Sequence, residues 1–521
     1  MNFPWQKHPV IRGALILTLA GLITRILGFF YRIYLSNLIG AENMGLYQLT
    51  GPVSGICFAL CCGPIQTAVS RFCAAASAQR KQRQTAKYLF TGLLLSECAA
   101  FLCMTALYSS APMLAKRLLG DSRCTLLLRI LALSLPLSAA HAAISGYCYG
   151  KKQAAPPAVC QLLEQLVRIA TLVLIANRMT ASGVQPGAWA AALSLLAGET
   201  ASLTFSAFCL SILLRKDALN FSNTLFLGNT SDTCSGEQTG FSSSGSSLFS
   251  RIRAILRMSF PLAANRLLLG LLQSLEAVQI PARLILFGSS SEEALSIYGV
   301  LTGMALPFLF FPSALTNSVS VLLLPSVAEA QSLGDDARIR RTIELALSYS
   351  LYIGILCTGI FAVYGKAMGQ LFFPDTAAGS YLSVLGWLCP FLYPASMAAS
   401  ILNGTGRTGV TFRQNLIALG CRICFVIFLI PHMGIRAYLY GMLASELLLV
   451  LLHVRSLCRN FPFAFSAWYR IIRPMAAIAA AVMGSGMLPV FGNNFCSLVL
   501  RCSYTCIVYL LFLVLTREMQ S

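Results

Sequence analysis

The chain has 521 residues, of which 57% are apolar and only 11% charged, with a mean hydropathy of +0.72. A soluble chain averages about 25% charged residues, so this one cannot cover a water-exposed surface; a disulfide scaffold, a coiled coil and a disordered tail are excluded, and a polytopic membrane protein remains. The net charge of +20 would suggest nucleic acid in a soluble protein, but here the basic residues sit between apolar runs, where they act as a topology signal, and no nucleic-acid partner is expected.

In chain order, the apolar runs predict helices at about 12–38, 46–75, 87–112, 124–149, 156–178, 188–214, 256–287, 296–327, 343–372, 379–402, 410–431, 437–456, 474–491 and 495–516. Fourteen spans of about 20 residues with short loops fit the length. The run from Arg12 to Leu38 is too long for the apolar part of a signal peptide and carries Arg25 and Arg32, so it reads as a span and not as a cleaved leader. An even count puts both termini on one side. Loops on that side hold 23 Lys and Arg residues against five (Lys116, Arg117, Arg123, Arg178 and Arg436) on the other, which places both termini in the cytoplasm.

The fold class expected is thus an all-α polytopic membrane protein. Residues 1–216 form a first lobe of six helices, 217–253 a cytoplasmic linker, 254–457 a second lobe of six, and 458–521 two further helices. Within the linker, Asn220 to Ser250 is rich in Ser, Gly, Thr and Asn, the composition of a flexible connection. The lobes repeat each other in the same orientation. Ile144-Ser-Gly-Tyr-Cys-Tyr-Gly150-Lys151, with Arg168-Ile169 in the next helix, parallels Ile401-Leu-Asn-Gly-Thr-Gly406-Arg407 with Arg422-Ile423. Tyr47-Gln-Leu-Thr-Gly51 likewise parallels Tyr298-Gly-Val-Leu-Thr-Gly303. A parallel repeat implies a cleft between similar lobes and alternating access to it; nothing resembling a selectivity loop is present.

Ten basic residues fall inside the spans: Arg25, Arg32, Arg71, Arg129, Arg168, Arg266, Arg283, Lys366, Arg422 and Arg501. The acids there are Glu97, Glu164, Glu199, Glu276 and Glu446. A charge near a helix centre costs at least about 2.5–3.5 kcal/mol, so these groups face a cavity, pair, or reach for the interface. Arg32, Arg71, Arg283, Lys366 and Arg501 lie near helix ends and can snorkel. Arg25 and Arg266 lie deeper, near the middle of the first helix of each lobe, and lead the candidates for substrate contact, followed by Arg168 and Arg32. Glu164 and Arg168 are spaced i, i+4 and can pair. Glu276 can take a proton or cation, or neutralise Arg283; Glu164 and Glu97 are the other carboxylates open to a coupling or charge-balancing role. The cationic excess suits a phosphate- or diphosphate-bearing head group, which the guanidinium fork matches.

His141, alone in an apolar helix, reads as a packed histidine. Asn265 and Asn317 fit sugar hydroxyls and interhelical hydrogen bonds equally well. Of the 19 cysteines, Cys57, Cys61, Cys62, Cys98 and Cys103 behave as small hydrophobes. Cys421-Arg-Ile-Cys424 lacks the second pair that a metal site needs. No nucleotide-binding or hydrolase motif is present, so neither an enzyme nor a bound cofactor is expected.

The opening stretch, Gly13 through Arg25-Ile-Leu-Gly28-Phe-Phe-Tyr-Arg32 and then Leu38-Ile-Gly40-Ala-Glu-Asn-Met-Gly45-Leu-Tyr47, resembles the polysaccharide-exporter branch of the multidrug/oligosaccharidyl-lipid/polysaccharide exporter superfamily. Within that branch it resembles the family of stage V sporulation protein B. Gly146 to Lys151, Glu164 to Arg168, Asn265-Arg266 through Glu276 to Leu284, Tyr298 to Gly303, Pro312-Ser313 and Pro325 extend the resemblance over most of the chain. It implies a fourteen-helix fold in the bacterial cytoplasmic membrane, like that of the lipid II flippases and multidrug exporters. It further implies flipping of lipid-linked cell-wall or polysaccharide precursors, and the leading reading is an undecaprenyl-diphosphate-linked saccharide; no cofactor is expected, and the energy comes from an ion gradient of sodium ions or protons, from the membrane potential or from the substrate's own gradient. The partners implied are the lipid-linked substrate, the bilayer and cell-wall synthesis enzymes, with the chain acting as a monomer. The lipid II flippases carry a further arginine and an acid where this chain has Tyr31 and Leu46. An ion-coupled multidrug exporter and a non-transporting scaffold for wall synthesis are the competing readings.

Overall fold

The computed structural model describes residues 9–79, 82–227, 248–373, 375–463, 466–488 and 494–518. All regular elements among them are helical: α1 (Pro9–Cys61), α2 (Gly63–Ala78), α3 (Gln82–Met113), α4 (Cys124–Gly150), α5 (Ala155–Ala181), α6 (Trp189–Leu227), α7 (Leu248–Phe287), α8 (Ser291–Gly299), α9 (Leu306–Phe310), α10 (Ser313–Ser332), α11 (Asp336–Phe372), α12 (Ala377–Leu385), α13 (Cys389–Gly404), α14 (Thr408–Cys424), α15 (Ile430–Met433), α16 (Ile435–Asn460), α17 (Arg473–Gly486) and α18 (Asn494–Glu518), with short π and 3-10 turns between some of them. Apolar runs in lipid have no other choice, because a helix pairs its backbone groups within one segment.

Twelve helical stretches among the described residues are long and apolar enough to cross a membrane. The first, Ile16–Ser77, has 62 residues and at 1.5 Å per residue would run about 90 Å, three times a hydrocarbon core. It breaks at Gly40, whose φ of 79° and ψ of 173° leave the helical region, and so supplies the two spans expected at 12–38 and 46–75. The span expected at 474–491 corresponds to α17 and the π turn Trp468–Ile472 before it. The span expected at 296–327 is broken around Pro307 and Pro312 into α8, a π turn, α9 and α10. The helices are consistent with fourteen spans.

By their contacts the residues form two units, the first Met1–Thr24 with Thr50–Leu271 and the second Arg25–Leu49 with Leu272–Ser521. This division differs from a boundary at the linker. Residues 25–49 group with the second unit because their packing partners are there. A Cβ on Gly45 would strike the Leu295 carbonyl, and one on Gly299 would strike Ala41 and Gly45. Phe29 packs 4.7 Å from Phe308 and 4.8 Å from Phe311, and Asn37 donates to the Phe372 carbonyl at 2.8 Å. The start of α7 groups with the first unit for the same kind of reason. Ile255 is fully buried with Ile65, Val69, Leu89, Ile144 and Tyr147, and Arg251 donates to Thr91 at 3.2 Å.

The linker is also shorter than expected. α6 runs on to Leu227 and α7 begins at Leu248, so residues 217–227 and 248–253 are helical. No Gly or Pro interrupts the sequence from Glu199 to Leu227, and nothing stops the helix before Gly228. The rest of the expected linker, 228–247, lies outside the described residues.

Inside the first unit, Gly146 and Gly150 of α4 press against the Gln66 and Ser70 carbonyls of α2 with no room for a Cβ, the small-residue spacing that lets helix backbones meet in a membrane. The turn that follows α4 recurs after α13. Lys151, Lys152 and Gln153 donate to Tyr147, Tyr149 and Cys148, while Thr405, Gly406 and Arg407 donate to Ile401, Asn403 and Leu402, every atom pair shifted by the same 254 positions. The left-handed residue is Lys152 in one copy, with φ 60°, and Gly406 in the other, with φ 79°.

Gly299→Val should destabilise the protein by about 1–3 kcal/mol or more, since neither neighbour at that contact is a side chain that can swing away. Gly420→Ala, where a Cβ meets nothing within 4 Å, should be neutral or stabilising. Thermal unfolding of the purified variants in detergent decides this; equal midpoints would show that the α1–α8 contact is loose.

Candidate functional site

The second unit carries a buried charge cluster assembled from three helices. Glu276 of α7 is 5% exposed. Arg422 of α14 donates from Nη2 to Glu276 Oε2 at 2.9 Å, and its Nε lies 2.7 Å from Oε1 but off-line for a hydrogen bond. Tyr438 of α16 donates to the same Oε1 at 2.8 Å. One turn after Met442, Glu446 brings Oε1 to 3.9 Å from Arg422 Nη1, while its Oε2 is buried without a hydrogen bond. Two carboxylates thus share one guanidinium. Arg422 stands just before a π turn, Phe425–Leu429, a local irregularity that often accompanies function. Arg283 does not receive Glu276, as the sequence allowed; it donates to Gln279 at 3.0 Å.

The first unit repeats part of this. Arg168 and Glu164 of α5 meet at 2.5 Å, and Glu199 of α6 lies within electrostatic reach of both. Gly198 allows that approach, since a Cβ there would stand 2.9 Å from the Glu164 carbonyl. Arg168 and Arg422 are separated by the same 254 positions as the turns, and Glu199 and Glu446 both lie on the last helix of their repeat. The close carboxylate differs. It comes from the same helix in the first unit, whereas position 418, the counterpart of Glu164, is Ala418, and Glu276 reaches in from α7 instead.

The remaining candidates stand apart from these clusters. Arg25, in the second unit, and Arg266, in the first, are exposed, and neither makes a hydrogen bond or ion pair among the described residues. The Arg266 guanidinium lies over Gly63, where a side chain would displace it. Arg32 is exposed in the second unit. Glu97 is half-buried, with Oε1 enclosed and lacking a hydrogen bond. His141 sits between Ser202 at 3.2 Å and Ser145 at 3.4 Å, a packed histidine with polar neighbours. Asn317 accepts from Ser396 at 3.1 Å and so ties α10 to α13.

The second unit also contains an apolar groove of about 650 Å³ between α11, α13, α16 and α17, with Leu351, Val363, Trp387, Phe391, Leu451 and Met475 among its walls. The hydroxyl of Thr358 in its lining is turned away to the Gly354 and Gly386 carbonyls, leaving a hydrocarbon surface.

Residues 10–331 match the polysaccharide biosynthesis protein family, and the chain belongs to that family. It is 25% identical over 464 residues to stage V sporulation protein B of Bacillus subtilis (strain 168), covering 88% of this chain and 85% of that protein. It is 28% identical over 176 residues to the lipid II flippase MurJ of the same organism, covering 32% of each. In fold it resembles a lipid II flippase MurJ in its inward closed conformation, with a TM-score of 0.71 at 13% identity over 97% of this chain and 100% of that one. It also resembles an inward-facing multidrug resistance MATE family transporter, with a TM-score of 0.63 at 16% identity over 86% and 98%. The chain is therefore a multi-pass membrane protein of this family, similar to stage V sporulation protein B and sharing its fold with the MurJ and MATE structures.

Sequence reasoning marked Arg422, Glu446 and Glu199 only as intramembrane charges, and it overlooked Tyr438. The recurring Arg-Ile pair was the available signal, but Glu276 and Arg422 are 146 positions apart, and no local spacing announces their contact. Arg422→Met should destabilise the protein by about 3–5 kcal/mol, because the Glu276 carboxylate is left buried without a counter-charge. Adding Glu276→Gln to that variant should restore most of the loss. Thermal midpoints of the two purified variants test this, and no recovery in the double variant would refute the pairing as the source of the cost.

Proposed function

We propose that the protein flips a polyprenyl-diphosphate-linked saccharide, a cell-wall or peptidoglycan precursor on an undecaprenyl carrier, across the bacterial cytoplasmic membrane by alternating access. The observation that carries this reading is how the deep arginines divide. Arg168 and Arg422 are neutralised by carboxylates, whereas Arg25 and Arg266, one in each unit, keep their full charge available. Unpaired guanidiniums at membrane depth are costly and suit a ligand that brings its own negative charge. A diphosphate does so, and it accepts the bidentate fork of Arg. Arg32, exposed in the second unit, is a further candidate for substrate contact, and Arg168 acts by holding α5. The groove of the second unit suits a polyprenyl chain, which asks only for hydrocarbon contact.

In this reading both termini are cytoplasmic, the chain works as a monomer, and cell-wall synthesis enzymes in a sporulation or general wall pathway consume the product. A proton or sodium ion drives the cycle. Glu97, with an unpaired half-buried oxygen, is the carboxylate best placed to take it, while Glu164 and Glu276 are held by arginines. The same Glu97 favours the second reading, an ion-coupled exporter of organic cations.

Reconstitution in vesicles with a labelled lipid-linked precursor separates the two. Flipping by the wild-type protein, a loss of about ten- to a hundredfold in head-group affinity for Arg25→Ala and Arg266→Ala at normal protein level, and partial rescue by Lys are expected. Export of small cations without flipping, or full flipping by an Arg25→Met, Arg266→Met double variant, would overturn the flippase reading.

A further inference from the structure

A recess of about 320 Å³ opens in the second unit between α11 and α18, with Tyr364, Gln370, Leu371, Ser497, Leu498 and Arg501 in its lining. Among the described residues no acidic side chain lines it. Arg501 donates from Nη2 to the Leu488 carbonyl at 3.4 Å, a long contact, and its Nε is buried without a hydrogen bond. The Tyr364 hydroxyl is already bonded to Ser485, which closes one wall. The amide of Gln370 and the hydroxyl of Ser497 stand with the guanidinium as polar groups in an otherwise apolar recess.

Capping a helix end would explain one N–H of Arg501. It does not explain a space that would hold roughly ten waters at about 30 Å³ each, nor an enclosed Nε. Depth identifies the occupant. α11 ends at Phe372, two residues past Gln370, and α18 begins at Asn494, seven residues or about 10 Å before Arg501. With both termini inside, these helix ends reach the outer surface, so the recess lies at the level of lipid head groups, with Gln370 and Ser497 within one turn of the helix ends and Arg501 about one turn deeper than Ser497.

We propose that this recess binds the phosphate of a membrane lipid, with Arg501 supplying the charge and Gln370 a neutral hydrogen bond. The assignment rests on the orientation of the chain and not on transport of a lipid-linked saccharide, so either can fail without the other.

The test uses the full purified chain in detergent, titrated with phosphatidylglycerol, with diacylglycerol as the phosphate-free lipid and inorganic phosphate as the lipid-free anion. Retained lipid is counted by native mass spectrometry, alongside the thermal midpoint. The wild-type protein should retain phosphatidylglycerol and gain stability from it, with neither control doing the same. Arg501→Gln keeps a donor for the Leu488 carbonyl, so its lipid-free midpoint should stay close to wild type while its phosphatidylglycerol affinity falls about tenfold or more, the loss of one charge-assisted hydrogen bond. Gln370→Leu should weaken binding less, and it decides the matter should Arg501→Gln fold poorly. Arg436→Gln, in the first turn of α16 and not in the lining of the recess, should change nothing. Undiminished binding in both recess variants, equal retention of diacylglycerol, or saturation by inorganic phosphate alone would each overturn the proposal.

Discussion

A guanidinium cannot be left bare in hydrocarbon, and that constraint organises the interior of this protein. Arg422 is tolerable because the Glu276 carboxylate closes on it and is itself held by the Tyr438 hydroxyl, and these contacts tie the distal part of α7 to α14 and α16. Replacing such a pair by apolar residues of equal volume is often neutral or stabilising, so retention of the pair is not explained by stability alone. The cluster keeps one carboxylate in excess, Glu446, at 3.9 Å. It is thus an electrostatically incomplete arrangement inside an otherwise apolar unit, in contrast to the cores formed by Ile339, Ile343, Met397 and Ile401 or by Ile355, Ile478 and Tyr509.

The two repeats show how a duplicated framework diverges under this constraint. The turns after α4 and α13 keep the same three backbone hydrogen bonds because a chain reversal between two spans needs them whatever the side chains are. The left-handed position is filled by Gly406 in one copy and by Lys152 in the other. A non-glycine residue there is uncommon and mildly strained, yet the backbone geometry is retained. The arginine survives in both copies, whereas its carboxylate has changed helix, from α5 in the first unit to α7 in the second. The requirement is for a counter-charge in space, and the sequence can supply it from any segment that passes close enough.

α1 and α7 share a further property. Each changes unit within its length, at Thr24–Arg25 and Leu271–Leu272. Contacts decide this. The close approach of Gly45 and Gly299 and the phenylalanine cluster around Phe308 hold residues 25–49 to the second unit, while Ile255 and Ser259 are buried in the first. Arg25 therefore stands at the first residue of a crossing, and Arg266 five residues before the other.

The sequence by itself determined what depends on composition and local periodicity. The apolar runs became membrane-length helices, and the Gly-rich turns and Arg-Ile pairs already displayed the repeat. The i, i+4 pair of Glu164 and Arg168 was legible because one helix brings both residues to the same face. Only the tertiary structure decided which lone charges are neutralised. Glu276 looked available to Arg283 along its own helix but pairs with Arg422 of α14, and Arg168 meets a carboxylate where the exposed Arg25 and Arg266 meet none among the described residues. The same holds for the units, since residues 25–49 are drawn away from their sequence neighbours by glycine and aromatic contacts and the start of α7 by the burial of Ile255, all with partners far along the chain. A linear pattern records what each segment must bury, but packing in three dimensions selects the surface against which it is buried.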